Sequence, residues 1–215
     1  MKLLAIETSS DVCGIALLEV DKVVACREQI LNREHAEKLP KFCKELMDEV
    51  DLSLIEINGV AISIGPGSFT GLRIGLSFAK GIAFSLNVPI LPISTLLAIT
   101  ESCKLEVDEV NTILHSHKDI VYYQKFLQKK HGWEGIDKPV SIEWEKLSPK
   151  LYSYKNIVHY RCGHLLDILD LKSNIIEVIP SAVSIGKAAS IRFKNIVNPD
   201  FYNLEPEYIT SFKIG

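Results

Sequence analysis

The sequence is short of the features that announce metals, disulfides and polyanion surfaces. It has no Cys-x-x-Cys pair, no two histidines three or four residues apart, no run of like charge and no low-complexity tract. Five cysteines, Cys13, Cys26, Cys43, Cys103 and Cys162, are odd in number and scattered. That pattern argues for reduced thiols in a cytoplasmic compartment and against a disulfide framework. Acidic and basic residues interleave to a formal net charge of −3, so a self-sufficient nucleic-acid surface, which needs concentrated cations, is not expected. The chain opens on a strand-like run where a signal peptide would have a charged end and an apolar core. Residues 81–100 carry no charge and are long enough for a membrane span, but Asn87, Pro89 and Pro92 interrupt them. A helix ending near Leu86, a short strand and a new helix capped by Ser94 is the expected reading, with no membrane association.

What is present is enough to fold. Of 215 residues, 47% are hydrophobic and 24% charged, which supports one large domain or two small ones with a real core. Apolar patterning predicts strands at 3–7, 12–19 and 22–30, an antiparallel meander with a short turn at Val20-Asp21. Residues 33–50 follow helical spacing through Ala36, Leu39, Phe42, Cys43, Leu46 and Val50, with Asn32 as the expected cap and Pro40 as an expected kink or restart. A buried strand at 59–64, a helix at 70–86, a strand at 90–93 and a helix at 95–103 follow. This β-β-β-α-β-α-β-α order occurs in the ribonuclease H-like core shared by actin, sugar kinases and Hsp70. The second half is weaker in signal. It predicts strands at 112–116, 120–127, 157–160 and 175–179, a loop at 131–138, helices at 163–171 and 181–193, and an extended run at 203–210. The expected organisation is an N-terminal subdomain over 1–103 and a reduced, divergent copy over 104–215.

The loop GPGSFTGLR at 65–73 joins a strand to a helix. It lacks the Gly-Lys-Ser/Thr of a P-loop, and Pro66 and Phe69 spoil the dinucleotide spacing. Gly65, Gly67, Ser68, Thr70 and Gly71 make either a tight capped turn or an anion loop at a helix N-terminus; both readings stay open here. Within the helix, Gly71, Gly75, Ala79 and Ala83 recur every four residues and predict a groove of small side chains, received either by the chain's own core or by a partner's helix. Arg73, Ser77 and Lys80 form its polar stripe. The hairpin turn Thr8-Ser9-Ser10-Asp11 follows Glu7 without a glycine, so it reads as a degenerate phosphate hairpin. His115, His117 and Asp119, and separately His159, Cys162 and His164, lack a firm metal-ligand spacing. No catalytic triad is argued from chain order.

These residues together resemble one family. The opening LLAIETSSDVCGIALLE, the helix REHAEKLPKFCKELM and the long block GVAISIGPGSFTGLRIGLSFAKGIAFSLNVPILPISTL are similar to the TsaB (YeaZ) family, with PSAVSIGKAA and EPEYI as weaker features further on. The resemblance implies an actin-like, Hsp70-like ATPase fold of two subdomains, each a mixed sheet flanked by helices. It implies an accessory, non-catalytic role in threonylcarbamoyl modification of the tRNA adenosine beside the anticodon. A TsaD-like transferase would be the partner, a TsaE-like ATPase would join a larger complex, and tRNA would be met only through that complex. Metal and ATP are expected on the partners and no cofactor here. The resemblance places a helical-bundle interface on the two first-half helices. His35, Leu39, Phe42 and Leu46 on one, and Leu72, Arg73, Gly75, Leu76, Ala79, Lys80 and Ala83 on the other, are the expected interface residues. The same face is available for a homodimer. One departure stands out: where the family has an Asp-Ala-Arg-x-Gly strand pair, this chain reads His115-Ser116-His117-Lys118-Asp119.

Overall fold

A computed structural model describes residues 1–103, 105–130, 132–196 and 201–209. His131 and Thr210, at the ends of two predicted segments, and Lys104, at the expected subdomain boundary, lie outside the described residues.

Two mixed sheets carry the fold. The first joins β1 (Lys2–Glu7), β2 (Val12–Glu19), β3 (Lys22–Ile30), β4 (Gly59–Gly65) and β5 (Ile90–Ser94) in the order β3-β2-β1-β4-β5. The first three strands are antiparallel; β4 and β5 run parallel to β1. The second joins β6 (Glu109–His117), β7 (Ile120–Lys129), β8 (Gly132–Gly135), β10 (Asn156–Tyr160) and β11 (Asn174–Glu177) in the order β11-β10-β6-β7-β8, with β9 (Val140–Glu143) also paired to β7. Again the hairpin strands are antiparallel, and β10 and β11 run parallel to β6. The second sheet therefore repeats the first strand for strand, with β8 and β9 dividing the part of β3. This is the duplicated actin-like core, although no sequence repeat announces it.

The helices repeat too. α1 (His35–Glu49) and α2 (Phe69–Leu86) cover one face of the first sheet, where Leu39, Cys43, Leu46, Leu76 and Ala79 pack with Leu4, Ile6, Ile15 and Ile62. α4 (Trp144–Leu151) and the single turn α5 (Gly163–Leu166) cover the matching face of the second. α3 (Thr95–Ser102) and α6 (Ala182–Ile196) lie between the sheets and exchange lobes. α6 packs Ala182, Ile185 and Ala189 on Leu3, Ala5 and Leu18 of the first sheet, while α3 packs Leu96 and Ile99 on Val110, Phe126 and Val158 of the second. β1 is covered on both faces, which explains its unbroken apolar run.

The departures from the sequence reading have local causes. α1 is capped at Glu34 without a side-chain bond, not at Asn32, and runs through Pro40 as one helix. Pro40 is exposed, and so is Ala36, the residue whose carbonyl a proline at position 40 leaves without its helical donor. The predicted loop at 131–138 holds β8, and the sequence pattern gives no sign of β9 and α4; at four, four and eight residues the three are too short for a period to show. The predicted helix at 163–171 is only the turn Gly163–Leu166. The uncharged run 81–100 divides into the end of α2, β5 and α3, and among the described residues no helix is long and apolar enough to cross a membrane. All five cysteines are free, and four are buried.

Candidate functional site

Two surfaces are placed by this fold: a cleft between the lobes, and the outer face of α1 and α2. The cleft encloses about 550 Å³. It is walled by the two hairpin turns and by the loops that enter α2 and α5, with Ser10, Asp11, Arg33, His115, Tyr122 and Arg161 among its lining. Gly67, Ser68, Thr70 and Gly71 of the predicted anion loop also line it, whereas Gly65, at φ +118°, is turned against the carbonyl of Glu207. Ser68 caps α2 by accepting from the Gly71 amide at 3.2 Å, and its own amide donates to the Ser9 carbonyl at 2.6 Å. The loop's glycines permit close packing on the first hairpin: a Cβ on Gly67 would overlap the Ser9 carbonyl, and one on Gly71 the Thr8 carbonyl.

The first hairpin satisfies the Ser9 and Val12 amides internally. The Ser9 amide and hydroxyl both donate to Glu7 Oε1 at 2.5 Å, and the Val12 amide donates to the Ser10 hydroxyl at 3.1 Å. A carboxyl thus occupies the amide that a phosphate hairpin would offer a ligand. Glu7 is fully buried, its Oε2 meets no hydrogen-bond criterion among the described residues, and burial pushes its carboxyl up to about 7 against the lowering effect of Ser9 and Ser63. Across the cleft, Tyr160 donates to Asp11 Oδ1 at 2.6 Å, and Arg161 Nη1 lies 3.4 Å from Asp11 Oδ2. His115 and His164 meet ring to edge at 5.2 Å, while His159 Nδ1 accepts from the Cys162 amide at 3.4 Å. Among the described residues no group of three or more His, Cys, Asp or Glu could hold a metal ion.

On the helices, the expected interface residues divide. Leu39 and Leu46 of α1, and Leu72, Gly75, Leu76, Ala79 and Ala83 of α2, face the sheet and are buried in the chain's own core. The small-residue face at 71, 75, 79 and 83 is therefore an internal seam; a Cβ on Gly75 would overlap the Thr8 hydroxyl. Having no Cβ there brings α2 down onto the hairpin and sheet. His35 is buried with Nε2 3.2 Å from the Val12 carbonyl, and Phe42 is half-buried on the same core. Lys80 Nζ donates to the Tyr202 carbonyl at 2.9 Å, and Arg73 meets Tyr208, so both hold the chain's C-terminal segment.

What α2 shows to solvent is a second small-residue register, of which the sequence pattern marks only Ser77, as part of a polar stripe. Ser77, Gly81 and Ser85 are exposed at four-residue spacing, and beside them Ile74, Phe78 and Ile82 face α1 across two shallow apolar grooves of about 410 and 380 Å³. Ala36, Pro40 and Met47 complete the opposite wall. The signal was there in the serines, which pattern reading counts as polar rather than small.

Comparison with known proteins fits this architecture. The family model described as "TsaD: tRNA N6-adenosine threonylcarbamoyltransferase" matches residues 28–147. A protein of Buchnera aphidicola subsp. Baizongia pistaciae named "tRNA threonylcarbamoyladenosine biosynthesis protein TsaB" is 33% identical over 157 residues, covering 71% of each chain. The chain belongs to the TsaB family. The Escherichia coli K12 protein of the same name is 30% identical over 138 residues, a match that covers 63% of this chain and 59% of that one. The solved structure "YeaZ from Pseudomonas aeruginosa" superposes with a TM-score of 0.84 at 21% identity, covering 96% of this chain and 99% of that one, and so shares the fold.

Proposed function

We propose that this chain is a non-catalytic subunit that docks a TsaD-like threonylcarbamoyltransferase and supports modification of the tRNA adenosine next to the anticodon. The observation that carries the reading is the outer face of α1 and α2, where a small-residue register borders an apolar groove that no other part of the described chain covers. Family membership supplies the reaction to which the docking belongs. The hairpin supports the absence of catalysis: its Ser9 and Val12 amides are already occupied by Glu7 and Ser10, which leaves a nucleotide phosphate fewer donors to bind. Metal and ATP then belong to the partners, a TsaE-like ATPase joins the larger assembly in the cytoplasm, and tRNA is met through the complex. Without a partner, the same face pairs two copies.

The test is reconstitution of threonylcarbamoyl transfer to unmodified tRNA from the other pathway proteins, with and without this chain. Modification that needs the chain, with no modification or ATP turnover by the chain alone, supports the reading. Equal modification without it defeats the reading. The second reading is an actin-like ATPase or small-molecule kinase, favoured by the cleft of about 550 Å³ with Ser68 and Thr70 on its wall. Calorimetric titration with magnesium-ATP separates the two.

A further inference from the structure

Among the described residues, Arg73 is the one charged residue lining the groove between Ala36, Leu39 and Pro40 of α1 and Ile74, Ser77 and Phe78 of α2. It is also tied to the far end of the sequence. Its guanidinium carbon lies 3.8 Å from the centre of the Phe69 ring and 5.8 Å from that of Tyr208. The two rings are 5.0 Å apart. Arg73 Nε donates to the Tyr208 hydroxyl at 2.9 Å. Tyr208 is held in turn by its own strand of chain: the Glu207 amide donates to the Ile64 carbonyl at 2.7 Å, and Phe201 is buried in the first-lobe core. Nη1 and Nη2 of Arg73 have no partner among the described residues, and the side chain is exposed.

A free arginine on a helix surface samples many rotamers. This one is fixed by a ring beneath it and a hydroxyl on Nε, and its two terminal nitrogens are left side by side. That is the geometry that receives a carboxylate through two parallel hydrogen bonds, with much of the ordering entropy already lost. The groove beside it is lined by Ala36, Leu39, Pro40, Ile74 and Phe78, so the complementary surface there is an apolar helix bearing an acid.

We propose that Arg73 is the specificity-determining residue of the docking face, pairing with a carboxylate on an apolar helix of the transferase-type partner, and that Tyr208 is the residue that positions it. This rests on the docking reading above. It assigns the C-terminal segment a part in recognition: residues 201–209 hold the charge that chooses the partner's register.

The experiment measures affinity of the full chain for its TsaD-like partner at low and high salt, for the native protein, Arg73→Gln, Arg73→Lys, Tyr208→Phe and the Arg73→Gln/Tyr208→Phe double variant. Arg73→Gln is expected to weaken binding about tenfold or more and to flatten its salt dependence. Arg73→Lys keeps the charge without the fork and falls between. Tyr208→Phe keeps the ring and weakens binding about threefold, but has no effect once Arg73 is glutamine. Circular dichroism confirms that each variant is folded; the lysine variant carries the test should the glutamine one not be. Native binding with an unchanged Arg73→Gln affinity, or a Tyr208→Phe effect that persists without Arg73, overturns the proposal and leaves docking intact. No binding by the native chain removes both.

Discussion

Gly71, in the first turn of α2, lies so close over Thr8 that a side chain on it would overlap the Thr8 carbonyl oxygen. Gly67 and Gly75, one step to either side, stand in the same relation to the Ser9 carbonyl and the Thr8 hydroxyl. Three glycines at four-residue spacing thus seat the helix on the hairpin. The loop's glycines serve this packing first, and whatever the cleft binds must use what remains.

From this contact the first prediction follows. Gly71→Ala forces a methyl against backbone, which cannot swing aside as a side chain can. It is expected to destabilise the fold by about 1–3 kcal/mol or more, read as a lower urea midpoint with an unchanged slope. A midpoint within error of the native protein would mean that the helix rides higher over Thr8 than described.

Glu7 gives a pH signature. Its carboxyl is fully buried and stands at about 7 instead of 4.5, raised by burial against the lowering effect of the Ser9 hydrogen bonds. The folded protein therefore holds a proton that the unfolded chain releases near 4.5. The associated stability is whole below pH 4.5, declines as pH rises through about 7, and amounts to about 3 kcal/mol. Glu7→Gln keeps an oxygen for Ser9 and has nothing to titrate, so its stability profile between pH 5 and 8 should be flatter. Parallel profiles for the two proteins would show that Glu7 is ionised in the fold.

The lobes are tied by a nearly buried ion pair. Arg192 Nη2 lies 2.5 Å from Glu101 Oε1 and donates to the Trp133 carbonyl at 2.6 Å, joining α6, α3 and β8, with side chains only 16% and 10% exposed. Removing one partner strands a buried charge. Arg192→Ala is expected to lose about 3–5 kcal/mol, and replacing both residues with methionine to regain most of it. Trp133 is buried beside the pair, so its fluorescence should move to the red in the single variant at urea concentrations where the native protein is intact. An Arg192→Ala protein as stable as the native one would mark the pair as an incidental contact.

The first lobe was legible because its strands are long or doubly covered: β2 and β3 were predicted to the residue, and α2 within one. Ser94 as the cap of α3 was also visible, and its hydroxyl accepts from the Leu97 amide at 3.5 Å. The second lobe was half legible because its third strand is split between β8 and β9 and its second helix is cut to one turn, which erases periodicity. What pattern could not decide was direction. The spacing of Gly71, Gly75, Ala79 and Ala83 announces a close approach by something, and only the fold says that the visitor is Thr8 and the sheet. The pairing of Arg73 with Tyr208, 135 residues apart, has no local signal at all.

The last prediction uses that directional difference. Gly75 and Gly81 lie on the same helix, six residues apart, and look alike in sequence. A Cβ on Gly75 meets Thr8 and the Ile62 side chain, while a Cβ on Gly81 meets nothing within 4 Å. Gly75→Arg must push a long cation into the core and is expected to unfold the chain. Gly81→Arg replaces a poor helix former with a good one on an exposed face, and is expected to raise stability by up to about 1 kcal/mol. If the outer face of α2 receives the partner's helix, the same substitution abolishes docking in size-exclusion or calorimetric assays, because arginine fills the shallow register formed with Ser77 and Ser85. A stable Gly81→Arg protein that binds its partner normally would move the docking surface off this face of α2, whereas a folded Gly75→Arg protein would reverse the inward assignment of the helix itself.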